Sequence, residues 1–404
     1  MTINNTRNIK NLISDTINDI KHPSSDGDPS DIIIVDENYE LAFDVPYRKT
    51  GKLPTADDSS LDSLLKAWKK FAPLLNRSVE SQQVFNNGIV STYSLVYTII
   101  NAYMGGVLAP NGDIHFVPYY ASVGQKVNAN GTVSTYSLIY TVSGAYIGGV
   151  LAPNGDIHFL PASATVGQKI SNGIVSTYSL VYTTSASYFG GVLAPNGDIH
   201  FIPYLATVGQ KISNGIVSTY SLAYTAIGAY IGGVLAPNGD IHFVPANAVV
   251  GQKISALGIV STYSLIYTTT ASYFGGVLAP NGDIHFVPAN AVVGQKIDKY
   301  GVVSTYSLAY TTALSHFGGV LSPNGDIHFV PYSSIVGQKV NANGIVSTYS
   351  LAYTTSIAYI GGILSPNGDI HFVPCNAIVG QKISTLVAYP FSKGVCCHAF
   401  FNKF

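Results

Sequence analysis

The hexapeptide Asn-Gly-Asp-Ile-His-Phe occurs seven times in this 404-residue chain, with its aspartate at Asp113, Asp156, Asp198, Asp240, Asp283, Asp326 and Asp369. Gly-Gln-Lys follows each copy, ending at Lys126, Lys169, Lys211, Lys253, Lys296, Lys339 and Lys382. Val-Ser-Thr-Tyr-Ser-Leu also occurs seven times, starting at Val90, Val133, Val175, Val217, Val260, Val303 and Val346. Consecutive copies lie 42 or 43 residues apart. A period of this length fits a four-stranded propeller blade or a helical repeat. Helices are disfavoured, because each unit carries several glycines and two prolines and no 3.6-residue apolar stripe.

Each unit reads as four short strands rich in β-branched and aromatic residues: a (YxGGVLAP), b (DIHFVP), c (VGQKI) and d (GIVSTYSLxYT). The fold class expected is all-β, a seven-bladed β-propeller with a small α+β N-terminal extension. Pro-Asn-Gly joins a to b, and Asn-Gly suggests a two-residue hairpin turn with positive φ at both positions. Alternation along b sets Ile114 and Phe116 on one face and Asp113, His115 and Val117 on the other. The Gly-Gly pair, Gly105-Gly106 in the first copy, suits strand a to the crowded axis. The first VSTYSL precedes the first GGVLAP, and none follows the last GQK. With d outermost, residues 88–98 must complete the last blade and latch the ring; with VSTYSL innermost, every blade is contiguous. The Gly-Gly strand favours the latch.

The repeats offer little reactive chemistry. Their acidic residues are the seven repeated aspartates and Asp298, and residues 85–385 contain no glutamate. Each aspartate sits two residues before a histidine, giving the pairs Asp113/His115, Asp156/His158, Asp198/His200, Asp240/His242, Asp283/His285, Asp326/His328 and Asp369/His371. Side chains at i and i+2 of a strand point the same way, and an aspartate can orient an imidazole. A nearby serine would complete a hydrolase triad. Catalysis needs one pre-organised site with unequal surroundings, whereas these pairs recur unchanged, so a structural hydrogen-bond network is the favoured reading. No enzymatic activity, metal or cofactor is expected. The lysines read as solvated strand ends. A formal net charge of -1 and the absence of arginine after residue 84 argue against nucleic acid as a partner. No apolar run is long enough to span a membrane, and the opening MTINNTRNIK shows no secretory signal. Cys396, Cys397 and His398 lack zinc-site spacing.

Differences among the copies concentrate in the d–a and b–c connections, which leave an up-and-down meander on one side. Tyr119, Tyr120, Tyr204, Asn247, Asn290, Tyr332 and Asn376 are the candidate binding residues of that rim. Tyrosine offers large contact area at low entropic cost; drift in loops is the competing explanation.

The flanks have another composition. Residues 1–84 hold 10 Lys+Arg and 13 Asp+Glu. Helical periodicity at 4–21, strand-like DIIIVD at 31–36 and YELAFDV at 39–45, and a helix from Ser60 toward Pro73 predict an extension of helix, two strands and helix, read either as a small cap packed on the propeller or as a docking segment for another protein or another copy. Residues 386–404 form an apolar, aromatic tail.

Over about 88–385, the motif GGVLAPNGDIHFVP…VGQKI…GIVSTYSL resembles tandem propeller repeats of virion proteins from marine and related tailed bacteriophages. That resemblance implies a tail or adsorption-apparatus component, located in the virion, attached through 1–84 to other virion proteins and binding a host-surface glycan or protein. It transfers no catalytic residue. A multivalent lectin-like propeller, a cytoplasmic interaction scaffold and a homo-oligomer remain alternatives, as does a hydrolase using one Asp-His pair.

Overall fold

The computed structural model describes residues 88–384 and, in addition, the backbone of two short strands, Ile33–Val35 and Leu41–Phe43, which pair antiparallel with Ile33 opposite Phe43. These strands match the segments expected at 31–36 and 39–45. The helices expected at 4–21 and from Ser60, and the tail 386–404, lie outside the described residues.

Residues 88–384 form seven four-stranded antiparallel sheets. In blade 1, strand a is Tyr103–Leu108, b is Ile114–Pro118, c is Val123–Val127 and d is Val133–Ser137. Blades 2 to 6 repeat this order, from Tyr146–Leu151 through Val346–Ser350. Blade 7 combines Tyr359–Leu364, Asp369–Pro374 and Val379–Ser384 with Ile89–Ser94 as its outer strand, Ile89 standing opposite Ser384. The latch is therefore present, and the described chain enters and leaves the ring at one corner of blade 7.

Glycine sets the inner circle. At Gly105 a Cβ would lie 2.9 Å from the Cα of Gly148, and the same contact passes through Gly190, Gly232, Gly275, Gly318 and Gly361 back to Gly105. A side chain at these positions would push the inner strands apart, and each has positive φ. The register shifts between Tyr103 and Gly106 in blade 1 and at the corresponding place in every other blade. The bulge turns the glycine backbone toward the axis.

The core lies between blades. Val107 and Val117 of blade 1 pack with Tyr146, Ile157 and Phe159 of blade 2, and every residue of strand b is buried. Both faces of b are covered, so its alternation separates two apolar layers instead of core from solvent.

The a–b turn differs from the expectation. Gly112 N–H donates to Ala109 O, which puts Pro110 and Asn111 at the centre of the turn, and only Gly112 has positive φ (86°). Proline's fixed φ suits the first central position of a type I turn, with the glycine following as a bulge.

Candidate functional site

The Asp and His of each DIH motif face the same side, as alternation requires, but they take different partners. Each aspartate Oδ2 accepts from the lysine of strand c at 2.6–2.7 Å, Lys126 for Asp113 and likewise through Lys382 for Asp369. The lysines are thus ion-paired, not merely solvated strand ends. Asp113 Oδ1 also accepts from Ala129 N–H in the c–d loop, and Asp113 N–H donates to Asn111 Oδ1. Each histidine Nδ1 instead shares a hydrogen bond with the VSTYSL tyrosine Oη at 3.1–3.3 Å, from His115–Tyr136 round to His371–Tyr93. The tyrosine reaches across strand c because a glycine lies beneath it: a Cβ at Gly124 would stand 2.2 Å from the Tyr136 ring. Strands b, c and d are cross-tied in every blade.

The electrostatics match a closed structural network. Burial, reinforced by the Lys126 ammonium and opposed by Asp113, holds His115 down at about 4. His158, His200, His242, His285, His328 and His371 are likewise held at about 4, burial being the main cause. Burial alone would raise the Asp113 carboxyl, but Lys126 and the Ala129 amide bring it below the ordinary carboxylate range. Lysine contacts act in the same way on Asp156, Asp198 and Asp240.

A second set of ties joins blades, and the motif reading missed it. Gln125, fully buried in strand c of blade 1, accepts at Oε1 from Val96 N–H and Tyr97 N–H, where the chain leaves the outer strand of blade 7. Gln168, Gln210, Gln252, Gln295, Gln338 and Gln381 hold the preceding blade in the same way. The signal was present as the invariant centre of VGQKI.

The rim residues divide by role. Asn247 Oδ1 accepts from Ala271 N–H of the next d–a loop, and its Nδ2 donates to Ile227 O of its own. Asn290 bridges Leu314 and Thr270, and Asn376 bridges Asn101 and Ser356. These asparagines clamp loops. Tyr119 stacks on Tyr120 with ring centroids 4.6 Å apart, Tyr204 packs on Phe189, and Tyr332 packs on Phe317. Of the seven candidates only Tyr120 and Asn247 are exposed; the others are half-buried. Phe189 of blade 3 and Phe317 of blade 6 meet with centroids 5.7 Å apart, and Phe274 of blade 5 joins them. Blades 3 and 6 are not neighbours, so these side chains reach across the axis and plug the channel at its rim end.

Charge is segregated. All eight aspartates and eight lysines of the described ring stand toward the a–b and c–d loops, on what we call the turn face. The d–a and b–c loops contain no Asp, Glu, Lys or Arg. Exposed on this rim face are Ile99, Ile100, Tyr120, Val142, Leu205, Ile227, Leu314 and an arc of Val249, Val292, Ile335 and Ile378. In the first three blades the arc position is Ser122, Thr165 or Thr207, each hydrogen-bonded to a tyrosine hydroxyl.

No family model matches the chain, and no curated protein does. Among solved structures it is similar to virginiamycin B lyase from Staphylococcus aureus, a catalytically inactive histidine-to-alanine variant with quinupristin, at 18% identity and TM-score 0.65, over 74% of this chain and 99% of that one. It is also similar to the WD40 β-propeller domain of Doa1, at 12% identity and TM-score 0.58, over 73% of this chain and 97% of that one. The extracellular domain of a putative hybrid two-component system from B. thetaiotaomicron matches at 9% identity and TM-score 0.58, over 76% of this chain and 44% of that one. At these identities the likeness shows the fold.

Proposed function

We propose that this protein is a non-enzymatic interaction propeller that docks through its uncharged rim face, serving in a virion as a tail or adsorption component. The observation that carries the docking half is the charge segregation: the loops of one face hold no ionic side chain yet expose a set of Ile, Leu, Val and Tyr. Exposed apolar patches of this kind mark interaction surfaces. The virion half is supported by the repeat resemblance, with 1–84 as the attachment segment. A non-catalytic role accords with seven equivalent histidines, each tied to a tyrosine within a blade. The lyase similarity supplies the second reading, in which one histidine acts on a ligand; replacing His115 and its six counterparts would then abolish an activity.

The docking test places charge in the arc. Ile335→Lys with Ile378→Lys should reduce adsorption of particles carrying the protein by at least tenfold, while exposed substitutions shift stability by only about 0.5 kcal/mol. Unchanged adsorption refutes docking through this face. The chain's absence from purified particles refutes the virion assignment.

A further inference from the structure

Seven of the eight lysines in the described ring are paired with the strand-b aspartates. Among the described residues Lys299 is the one lysine without a carboxylate partner, and its ammonium lies 5.2 Å from the centroid of the Tyr300 ring. Tyr300 is 80% exposed. Both belong to the c–d loop of blade 5, Asp298-Lys299-Tyr300-Gly301, on the turn face.

Blade 6 shows what this loop is without decoration. There the same four positions read Asn341-Ala342-Asn343-Gly344, and Asn341 Oδ1 accepts from Asn343 N–H and Ile345 N–H. In blade 5, Asp298 Oδ1 accepts from Tyr300 N–H and Val302 N–H. The turn is the same, with Asp doing what Asn does. What differs is the pair of outward positions, where Ala and Asn have become Lys and Tyr. They stand at a cleft of about 100 Å3 between blades 4 and 5, lined further by Asn238, Asp240, His242, Lys253 and Asp298.

We propose that this cleft binds a carboxylated saccharide, such as a uronic acid residue. The Tyr300 ring offers a stacking platform for the apolar face of a pyranose. Lys299, whose ammonium lies over that ring in the free protein, turns aside to give a charge-assisted contact to the carboxylate of the stacked sugar. The Asn238 amide and the neighbouring ion pair offer hydrogen-bonding groups to hydroxyls. An aromatic platform beside a lysine that no carboxylate pairs selects an acidic sugar over a neutral one, and the small cleft suits a single ring. The site lies on the face opposite the uncharged rim and stands independently of the rim's role.

The test is calorimetric titration of the full chain with an oligogalacturonide, with a neutral galacto-oligosaccharide and poly-glutamate as comparison ligands. Saturable binding of the oligogalacturonide is expected, weaker at high salt and at least tenfold weaker for the neutral sugar. Lys299→Ala, Tyr300→Ala and the loop exchange of 298–301 to Asn-Ala-Asn-Gly should each lose at least tenfold, while Lys299→Arg and Tyr300→Phe retain binding. The exchanged loop already folds at 341–344, and unchanged far-UV melting confirms that the variants are intact. The assignment is overturned by the absence of saturable binding at millimolar ligand or by equal affinity in the loop-exchange protein. Poly-glutamate binding as tightly as the saccharide would overturn it too.

Discussion

Acidification to about pH 5 should open the ring. Eight histidines are buried in the described residues. Seven are held at about 4 and His316 at about 3, in each case chiefly by burial. An unfolded histidine titrates near 6.5. Above that value both states are neutral and the full stability is present. As the pH falls from about 6.5 toward 4, the unfolded chain takes up protons that the folded ring refuses, and stability is lost. Each histidine contributes a slope of about 1.4 kcal/mol per pH unit, hence about 2 kcal/mol by pH 5. Eight acting together reach about 16 kcal/mol, comparable with the whole stability of about 5–15 kcal/mol usual for a domain. Asp113, Asp156, Asp198 and Asp240, held below the ordinary carboxylate range, contribute stability that is lost only at still lower pH. Denaturant unfolding followed by far-UV circular dichroism in half-unit steps from about pH 7.5 to 5 gives the proton uptake directly as the slope of stability against pH. His285→Gln should reduce the uptake by one proton. A midpoint that stays constant over this range would refute the reasoning.

Two further outcomes test the packing. Gly105 and Gly190 share a φ of +87°, but an added Cβ lies 2.9 Å from backbone at Gly105 and 3.5 Å at Gly190. Gly105→Ala should therefore cost about 1–3 kcal/mol more than Gly190→Ala in thermal unfolding, the difference measuring how tightly the axis is closed. In blade 6, His316 replaces the buried tyrosine whose hydroxyl elsewhere donates to the first carbonyl of strand c, as Tyr103 does to Val123 O. Ser334 donates to the equivalent Val336 O at 2.5 Å, where blade 1 has Ala121. His316→Tyr with Ser334→Ala should be more stable than the sum of the single changes implies, with a coupling of about 0.5–3 kcal/mol in a double-mutant cycle; additivity would show that the serine does not replace the lost hydroxyl.

The repeat made the architecture legible, because period, strand chemistry and the phase of VSTYSL against GGVLAP together specify blades, axis and latch. It did not reveal which side chains meet. Asp113 and His115 are adjacent on one strand face, but their partners depend on cross-strand register. His115 stands opposite Lys126, which places the ammonium diagonally against Asp113, and Gly124 opposite Tyr136 lets the phenol reach the imidazole. Gln125 was hidden for a similar reason: its partners are backbone amides of the neighbouring blade, which no side-chain motif announces. Pro110 overrode the two-residue turn suggested by Asn-Gly, though not the hairpin itself, because a fixed φ decides the turn before the next residue's preference can act.

Compensation, more than drift, explains much of the rim's variation. The d–a loop needs positive φ at one position, occupied by Asn101, Gly144, Ala186, Gly228, Ala271, Leu314 or Ile357. A side chain there costs about 1–2 kcal/mol. Wherever it is not glycine, the preceding blade supplies an acceptor for its N–H: Asn376 for Asn101, Ser163 for Ala186, Asn247 for Ala271, Asn290 for Leu314 and Ser333 for Ile357. Where the preceding blade offers Tyr120 or Leu205, with no such acceptor, the position is Gly144 or Gly228, and its N–H donates to Tyr119 O or Tyr204 O. Drift at independent sites has no reason to produce this pairing, and neither does selection for a ligand. Among the positions that remain after such pairs are set aside are the exposed Ile100, Ile227 and Leu257, the apolar arc from Val249 to Ile378 and the Lys299-Tyr300 tip. Those are the places where a partner's chemistry should be sought.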